Sequence, residues 1–471
     1  MSLLTPIIVV FLVLGLAGCA TRTVDSDAKM DELPESFSGS GKDTLTDKWW
    51  TELDDSHLNK LMKRALDGNL SLKQAWNRLD QARASVSARS ADLYPGLNVS
   101  GDITQRRQET SNPDRSQTAT SEQLKAVASY EVDLWNRIES SVEAARYSKK
   151  ASREQLKSAA VSLSAEVAHT WYQLVDSYNQ VRILRNQLEV NQNFYSIVSD
   201  RYEYGRSQRA DVLRQRRLKD GTKERLLAAR SRSKTLEHKL AVLLGQSPKG
   251  TVNPVVRKFP DLPPIPETGI PSKVINRRPD VRASFRRVQE ADRNVASAIA
   301  NQYPRLNLTG AISTSGGDSA QLFENWLQSL TAELTAPILD AGKRRAEVRK
   351  SEAILSKRIN SYKESVLTAF REVEDSLVQE RHQRKQLNEI KGQLKAARET
   401  VTILRNQYAN GTTDFLSVLE ALKTKHQLQL DLARARRKLI IDRIGLYRSL
   451  SGGWSLNRPE SNNDKTAKEG A

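Results

Sequence analysis

An internal duplication constrains this chain more than any other feature of its sequence. Residues 94–244 recur as residues 303–450. The copies align at an offset of 209 residues where they begin and at 206 residues around Tyr202 and Tyr408. We place the three-residue difference in a loop within 105–124. Because self-similarity at a fixed period marks a structural unit that is used more than once, we expect two copies of one plan.

A proline-rich segment separates the two copies. Residues 246–271 contain seven prolines, which cannot continue a helix. The predicted segments are a signal peptide (1–18), an N-terminal linker (19–45), a first repeat (46–245), the connector (246–271), a second repeat (272–454) and a polar tail (455–471).

Each copy begins with two segments in which apolar and polar residues alternate. They lie at 97–104 and 124–134 in the first copy, and at 306–313 and 330–338 in the second. Alternation with a period of two over about ten residues is typical of strands in a membrane barrel. Taken alone, the pattern fits a hairpin on a soluble core equally well.

Four strands are too few to close a barrel. Known barrels need about eight or more strands, and an open sheet edge cannot lie in lipid. If this sheet lies in a membrane, several chains must contribute strands, and three chains would supply twelve.

A long helix follows the hairpin in each copy. Residues 141–203 contain neither Pro nor Gly, and apolar or aromatic residues recur every seven positions. The second copy repeats this series 206 residues later, with only Glu380 interrupting it. Roughly 63 residues of helix measure about 95 Å, which is more than a bilayer or a compact domain needs. The sequence therefore predicts two rods that cross an aqueous gap.

Each rod ends at a glycine that reverses the chain. Gly205 and Gly411 follow the two heptad series, and a shorter return helix follows each glycine. Two further helices, 54–92 and 280–301, lead into the strands. Each half therefore contains a helix, a hairpin, a long helix and a return helix, and the fold class is mainly α with a small β part.

The single cysteine, Cys19, follows an apolar run that is too short for a comfortable membrane span. The run indicates a signal-peptide core, although no Lys or Arg precedes Pro6 as is usual there. Residues 16–19 resemble a lipobox, whose cysteine receives the lipid. We therefore predict a mature chain that begins at an acylated Cys19, and a buried structural cysteine is the alternative. By the same resemblance, Ala20 implies sorting to the outer membrane.

Charge and chemistry indicate no catalytic or nucleic-acid-binding site. The net charge is +18, but the 74 basic and 56 acidic residues are interspersed as on solvated helix faces. The five histidines have no metal-ligand spacing, and we expect each on a helix surface. No phosphate-binding glycine loop or G-x-S-x-G motif is present. We predict no enzymatic activity, no cofactor, no metal site and no nucleic-acid partner.

Several motifs, in order along nearly the whole mature chain, resemble the TolC family and its OprM-like lipoprotein branch of outer-membrane factors. They are Trp49-Trp50 with Leu53, Asp55 and Leu58; Tyr94-Pro95 and Tyr303-Pro304; Asp133-Leu134-Trp135-Asn136-Arg137; Arg277-Arg278-Pro279-Asp280; and Pro337-Ile338-Leu339-Asp340-Ala341-Gly342-Lys343.

The resemblance implies a trimeric efflux channel that is lipid-anchored in the outer membrane and extends into the periplasm. A 12-stranded β-barrel, with four strands per chain, would be continuous with a long α-helical barrel. The homotrimer would act as a passive exit duct, coupled through a periplasmic adaptor protein to an inner-membrane transporter.

The same resemblance implies where the adaptor binds. Contact is expected at the two interhelical turns, on Tyr202, Gly205, Asp211, Val212, Leu213, Tyr408, Gly411, Asp414, Phe415, Val418 and Leu419. Acidic residues often constrict this end of the channel in the family, and the candidates here are Asp200, Asp211 and Asp414. Each of these aspartates is equally compatible with a role as a helix cap.

Two other functions remain open from the sequence. The same duct could serve type I protein secretion in place of small-molecule efflux. A soluble, basic coiled-coil scaffold would explain the heptads and the charge, but it would need neither the leader that ends at Cys19 nor two alternating hairpins.

Overall fold

A computed structural model describes residues 34–42, 45–108, 117–248, 259–318 and 320–458. The predictions for Cys19, the signal peptide and most of the polar tail lie outside these residues. The elements are a 3-10 helix (Trp49–Leu53), α1 (Ser56–Gly68), α2 (Leu70–Ala91), β1 (Gly96–Gln108), β2 (Gln117–Val132), α3 (Arg137–Glu203), α4 (Arg209–Leu243), α5 (Pro271–Arg277), α6 (Pro279–Ala300), β3 (Arg305–Gly316), β4 (Trp326–Thr335), α7 (Lys343–Ala409) and α8 (Phe415–Leu450).

The described residues divide into two compact units. One comprises residues 89–147 and 287–363 and contains the four strands, and we call it the sheet unit. The other comprises residues 34–88, 148–286 and 364–458, and we call it the helical unit. The order of elements in the two halves of the chain follows the predicted duplicated plan, and the described residues are mainly helical with one small sheet.

The sheet unit holds one antiparallel sheet in the order β1-β2-β3-β4. Its register aligns apolar residues across all four strands, as in the row Leu97, Ala128, Gly310 and Leu330. Residues one position away form polar rows, as in Gly96, Ser129, Thr309 and Thr331. The predicted period-two alternation is therefore confirmed, and it gives the sheet one apolar and one polar face.

Two predicted strands extended too far toward their C-terminal ends. β2 ends at Val132, because a tight turn follows in which Leu134 N–H donates to the Val132 carbonyl at 2.9 Å. β4 ends at Thr335, since its partner there is Arg305, the first residue of β3. Leu134, Ala336 and Ile338 therefore lie beyond the ladder, in the junctions that lead to α3 and α7.

The predicted helix 54–92 is two helices, which is a correction to the sequence interpretation. Asn69 adopts an extended conformation between α1 and α2, with ψ of 125°. Its side chain accepts a hydrogen bond from Leu72 N–H at 3.0 Å and donates one to the Leu243 carbonyl at 2.9 Å. The break is stable because this one side chain satisfies a free helix donor and a carbonyl of a neighbouring helix.

The core of the helical unit lies around the aromatic residues that open the first repeat. Trp49 and Trp50 are buried against Trp171, Tyr172 and Tyr447, among other apolar residues of α1–α4 and α8. No helix in the described part of the chain is both long and apolar enough to cross a membrane.

The two long helices, α3 and α7, each contain 67 residues. Each is about 100 Å long at 1.5 Å per residue.

At the position that interrupts the heptad series, Glu380 is fully buried and binds the equally buried Arg443 of α8, with an N–O distance of 2.6 Å. Arg443 also donates to the carbonyls of Pro263 and Pro264. The interruption is therefore an internal ion pair that ties two helices to the connector.

A layer of buried polar residues crosses the helices between two apolar clusters. Gln187 and Asn191 of α3 meet His426 of α8 and Thr222 of α4 there.

The position of His426 corrects the sequence interpretation, because we expected a surface histidine and this residue is only 2% exposed. The cause is helix packing, since α8 lies against α3 here and Gln187 donates to the His426 carbonyl at 2.9 Å. Burial, together with the charges of Lys425 and Arg225, lowers the pKa of His426 to about 4.

Candidate functional site at the two interhelical turns

The two turns that join the long helices to their return helices have the same backbone. Gly205 has φ of 68° and Gly411 has φ of 76°. Arg206 N–H donates to the Arg201 carbonyl at 2.7 Å, and Thr412 N–H donates to the Gln407 carbonyl at 2.9 Å. These bonds close the helix ends in the manner that requires a left-handed residue, for which glycine carries the smallest penalty.

The structure brings both turns into one site within the helical unit. Val198 of α3 and Phe415 and Leu419 of α8 form a buried cluster, and Val212 of α4 and Tyr408 of α7 pack against it. The rings of Tyr408 and Phe415 lie 5.5 Å apart. All four helices therefore contribute to a shared apolar support beneath the turns.

The predicted contact residues divide into a buried set and an exposed set. Phe415, Val418 and Leu419 are buried, so they support the site and do not form its surface. Tyr202 is 44% exposed and Leu213 is 53% exposed. Val212 and Tyr408 are half-buried at the edge of the cluster.

The sequence interpretation missed Tyr204, whose side chain is 80% exposed and lies directly before Gly205. Its position between the end of α3 and the glycine was the available signal, because an aromatic residue there has no helix neighbour to cover it. Arg201 was missed as well, and its guanidinium carbon lies 4.6 Å from the centre of the Tyr408 ring. This contact joins the first turn to the second by a cation–π interaction.

The three candidate aspartates have different surroundings. Asp211 lies in the first turn of α4 and pairs with Arg214 at 3.1 Å. Asp414 caps α8 and accepts a hydrogen bond from Ser417 N–H at 2.8 Å. That bond is the main cause that lowers the pKa of Asp414, and Arg214 contributes through its charge. Asp200 is exposed on the last turn of α3.

Charge is distributed unequally between the turns. Residues 200–220 contain seven basic and four acidic side chains, whereas the equivalent residues 406–426 contain two of each, apart from His426. Arg206, Arg209 and Arg217 are exposed on the first turn and its return helix. The site therefore presents a basic, partly aromatic surface beside a nearly neutral one.

Comparison with known proteins identifies the family. Residues 61–246 and 270–452 match the family described as outer membrane efflux protein. Outer membrane protein OprJ of Pseudomonas aeruginosa is 28% identical over 434 residues, which cover 89% of this chain and 88% of that protein. Cation efflux system protein CusC of Escherichia coli O6:H1 is 27% identical, with 94% of this chain and 97% of that protein covered.

A solved structure gives the same result. The outer-membrane channel OprN superimposes with a TM-score of 0.82 at 26% identity, covering 90% of this chain and 99% of the OprN chain. The two matched segments correspond to the two halves that the internal duplication defines. The chain belongs to the outer membrane efflux protein family.

Proposed function

We propose that this protein is the passive outer-membrane exit duct of a tripartite efflux system. Three copies form the duct, an acylated Cys19 anchors each copy, and the helical ends extend into the periplasm. A periplasmic adaptor binds the two turns and connects the duct to an inner-membrane transporter, which supplies the energy. The duct itself carries out no catalysis and holds no cofactor. The relatives carry names as different as cation efflux and pyoverdine export, so the cargo is left open.

The four-stranded sheet supports this proposal most directly. Most of its apolar residues lie in register on one face, and Leu97, Val99 and Leu330 are exposed in the single chain. Such a face suits lipid, but within the described residues β1 and β4 each have one free edge. Because a free edge cannot lie in lipid, β1 of one copy must pair with β4 of the next, and three copies give a closed barrel of twelve strands.

Disulfide trapping tests the pairing of β1 with β4. Ser100 lies on the polar face of β1, and Ser329, Thr331 and Glu333 lie on the polar face of β4. A Ser100→Cys variant is combined with Cys at each β4 position in turn, in a Cys19→Ala background. We expect one combination to give covalent trimers after oxidation.

The matched control pairs Ser129→Cys with Thr309→Cys, which are direct partners within one chain. This control should crosslink without any increase in mass. If every β4 position gives only monomers while the control crosslinks, the shared barrel is wrong. The mass of the mature wild-type chain tests the anchor separately, since acylation at Cys19 adds the mass of the lipid.

Binding to an adaptor tests the role of the turns. Tyr204→Ala and Leu213→Ala remove exposed side chains, so they should weaken binding to the adaptor without lowering thermal stability. A Leu227→Ala variant is a matched control, because Leu227 is similarly exposed on α4 but lies about 21 Å along the helix from Leu213. Equal loss in all three variants would contradict docking at the turns.

A further inference from the structure

The junction between β4 and α7 exposes the two most accessible large aliphatic side chains among the described residues. Ile338 is 90% exposed and Leu339 is 93% exposed. They continue the exposed apolar residues Leu330 and Leu334 of β4 past the end of the strand. Aliphatic side chains this exposed are unfavourable in water, and an apolar neighbour would remove that cost.

Cations lie immediately beside this aliphatic pair. Lys343, Arg345 and Arg349 are exposed within the first two turns of α7. The two neighbouring cations are neutralised, because Arg344 pairs with Asp340 at 3.1 Å and Lys350 pairs with Glu347 at 3.0 Å. No ion pair in the described part of the chain involves the side chains of the other three. Unpaired cations oppose the dipole at the start of a helix, and a nearby anion would remove that cost.

The equivalent junction of the first repeat is built in the opposite way. Arg137 binds Glu131 through two hydrogen bonds, at 2.8 and 3.0 Å. Trp135 stacks on Tyr303 with ring centres 4.9 Å apart and donates to the Pro304 carbonyl at 2.7 Å. The chain therefore pairs its cation and covers its aromatic residue at the first junction, whereas at the second junction three cations have no ion pair among the described residues and the aliphatic pair is exposed.

We propose that the second junction binds an anionic phospholipid of the periplasmic leaflet. Ile338 and Leu339 enter the acyl region, and Lys343, Arg345 and Arg349 contact the headgroup phosphate. The inference rests on the proposed function only in placing the sheet in the outer membrane. At the other end of β4, Trp326 and Phe323 are exposed with ring centres 6.3 Å apart, which suits the aromatic belt at the opposite interface.

The length of β4 matches the hydrocarbon thickness of a bilayer. β4 contains 10 residues and spans about 33 Å along the strand, or less across a bilayer when the strand is tilted. Its end at Thr335 therefore coincides with the boundary of the hydrocarbon region. The aliphatic pair lies at that boundary, and the cations lie just beyond it, where phosphates are found. A basic cluster beside an apolar anchor is the usual arrangement for binding anionic lipid.

Native mass spectrometry of the detergent-extracted protein tests this site. Phosphatidylglycerol or phosphatidylethanolamine is added at matched concentrations, and bound lipids per chain are counted. We expect the wild type to prefer phosphatidylglycerol. The variant K343Q/R345Q/R349Q should lower that preference by more than about tenfold, because each of the three cations contributes several-fold to anionic lipid binding and the factors multiply.

Two further variants separate the parts of the site. K357Q/R358Q/K363Q removes the same charge from α7 about 21 Å farther along the helix and should keep the preference. I338S/L339S should weaken the binding of both lipids equally, because the aliphatic pair contacts the acyl chains and not the headgroup.

Three outcomes would overturn the proposal. They are no preference in the wild type, equal loss in the two charge variants, and dissociation of the assembly by K343Q/R345Q/R349Q or I338S/L339S, which would make the patch a contact between copies. A wild type that is monomeric in detergent would instead contradict the proposed duct, and the lipid preference per chain would still be measurable.

Discussion

The two repeats have the same backbone at their turns but opposite environments at equivalent side chains. Leu213 is half exposed, whereas Leu419, which is 206 residues later, is buried. Arg209 lies in solvent, whereas its equivalent, Phe415, lies in the shared cluster. The duplication has kept the left-handed glycines that the chain reversal requires, while each copy has acquired its own surface. The second turn contributes buried residues that support the site, and the first turn contributes the exposed residues of its surface.

The long helices differ in the same way. Leu174 of α3 and Glu380 of α7 occupy equivalent positions, and both side chains are fully buried. Leu174 packs in the aromatic-rich core, whereas Glu380 binds Arg443. At this position the two copies share burial, but the chemistry of the buried group differs.

The largest effect is expected from making the second long helix like the first. Glu380→Leu leaves Arg443 buried without its carboxylate, and we expect a loss of about 3–5 kcal/mol in the free energy of unfolding. Far-UV circular dichroism during thermal unfolding in detergent measures it. Glu380→Leu combined with Arg443→Met should recover most of the stability. A Glu389→Leu control changes an exposed glutamate on the same helix, and a similar loss there would contradict the explanation.

A smaller effect should separate the turns directly. Leu419→Ala removes a buried side chain from the shared cluster and should cost about 2–4 kcal/mol. Leu213→Ala should change stability by less than about 0.5 kcal/mol, because its side chain is half in solvent. The same unfolding measurement applies to both variants. Equal losses would show that the first turn is packed as tightly as the second.

The pH dependence of stability should depend on a histidine of the second repeat. The pKa of His426, about 4, lies below the ordinary value of 6.5, so the unfolded chain binds this proton first as the pH falls. The free energy of unfolding should therefore fall by up to roughly 3 kcal/mol between pH 6.5 and 4. Below pH 4 the contribution of His426 no longer changes, because both the folded and the unfolded chain bind the proton. His426→Gln should flatten the fall. His238→Gln, which removes the exposed histidine of α4, is the control and should leave it as in the wild type.

The smallest effect is expected at the helix caps. Asp414 caps α8 with its side chain, whereas the equivalent residue, Gln208, makes no capping hydrogen bond to α4. The folded pKa of Asp414 is lowered, so its contribution is present above the pKa of the unfolded chain and is lost as the pH falls through the folded value. Asp414→Asn should reduce the amount by which the midpoint temperature of unfolding falls as the pH is lowered. Gln208→Asp should increase that amount, because it adds a capping carboxylate at the first turn. No change in either variant would contradict the capping role.

Much of the site was predictable because it depends on local chemistry. Glycine after a heptad series predicted both reversals, since few other residues adopt positive φ without cost. Burial was not predictable at the turns, because whether Leu213 or Leu419 faces the shared cluster depends on how two helical pairs meet. The same reason explains His426, whose polar side chain suggested a surface position although α8 packs against α3 there.

The sequence by itself determined the duplicated plan, the alternation of the strands, the length of the rods and the position of the turns, because each follows from a periodicity or a helix-ending residue. Only the tertiary structure decided which equivalent residues are buried, which carboxylates are paired and which cations are left free at the junction after β4. Those properties depend on side chains that are distant in the sequence, as Glu380 and Arg443 are, and no local pattern records such a meeting.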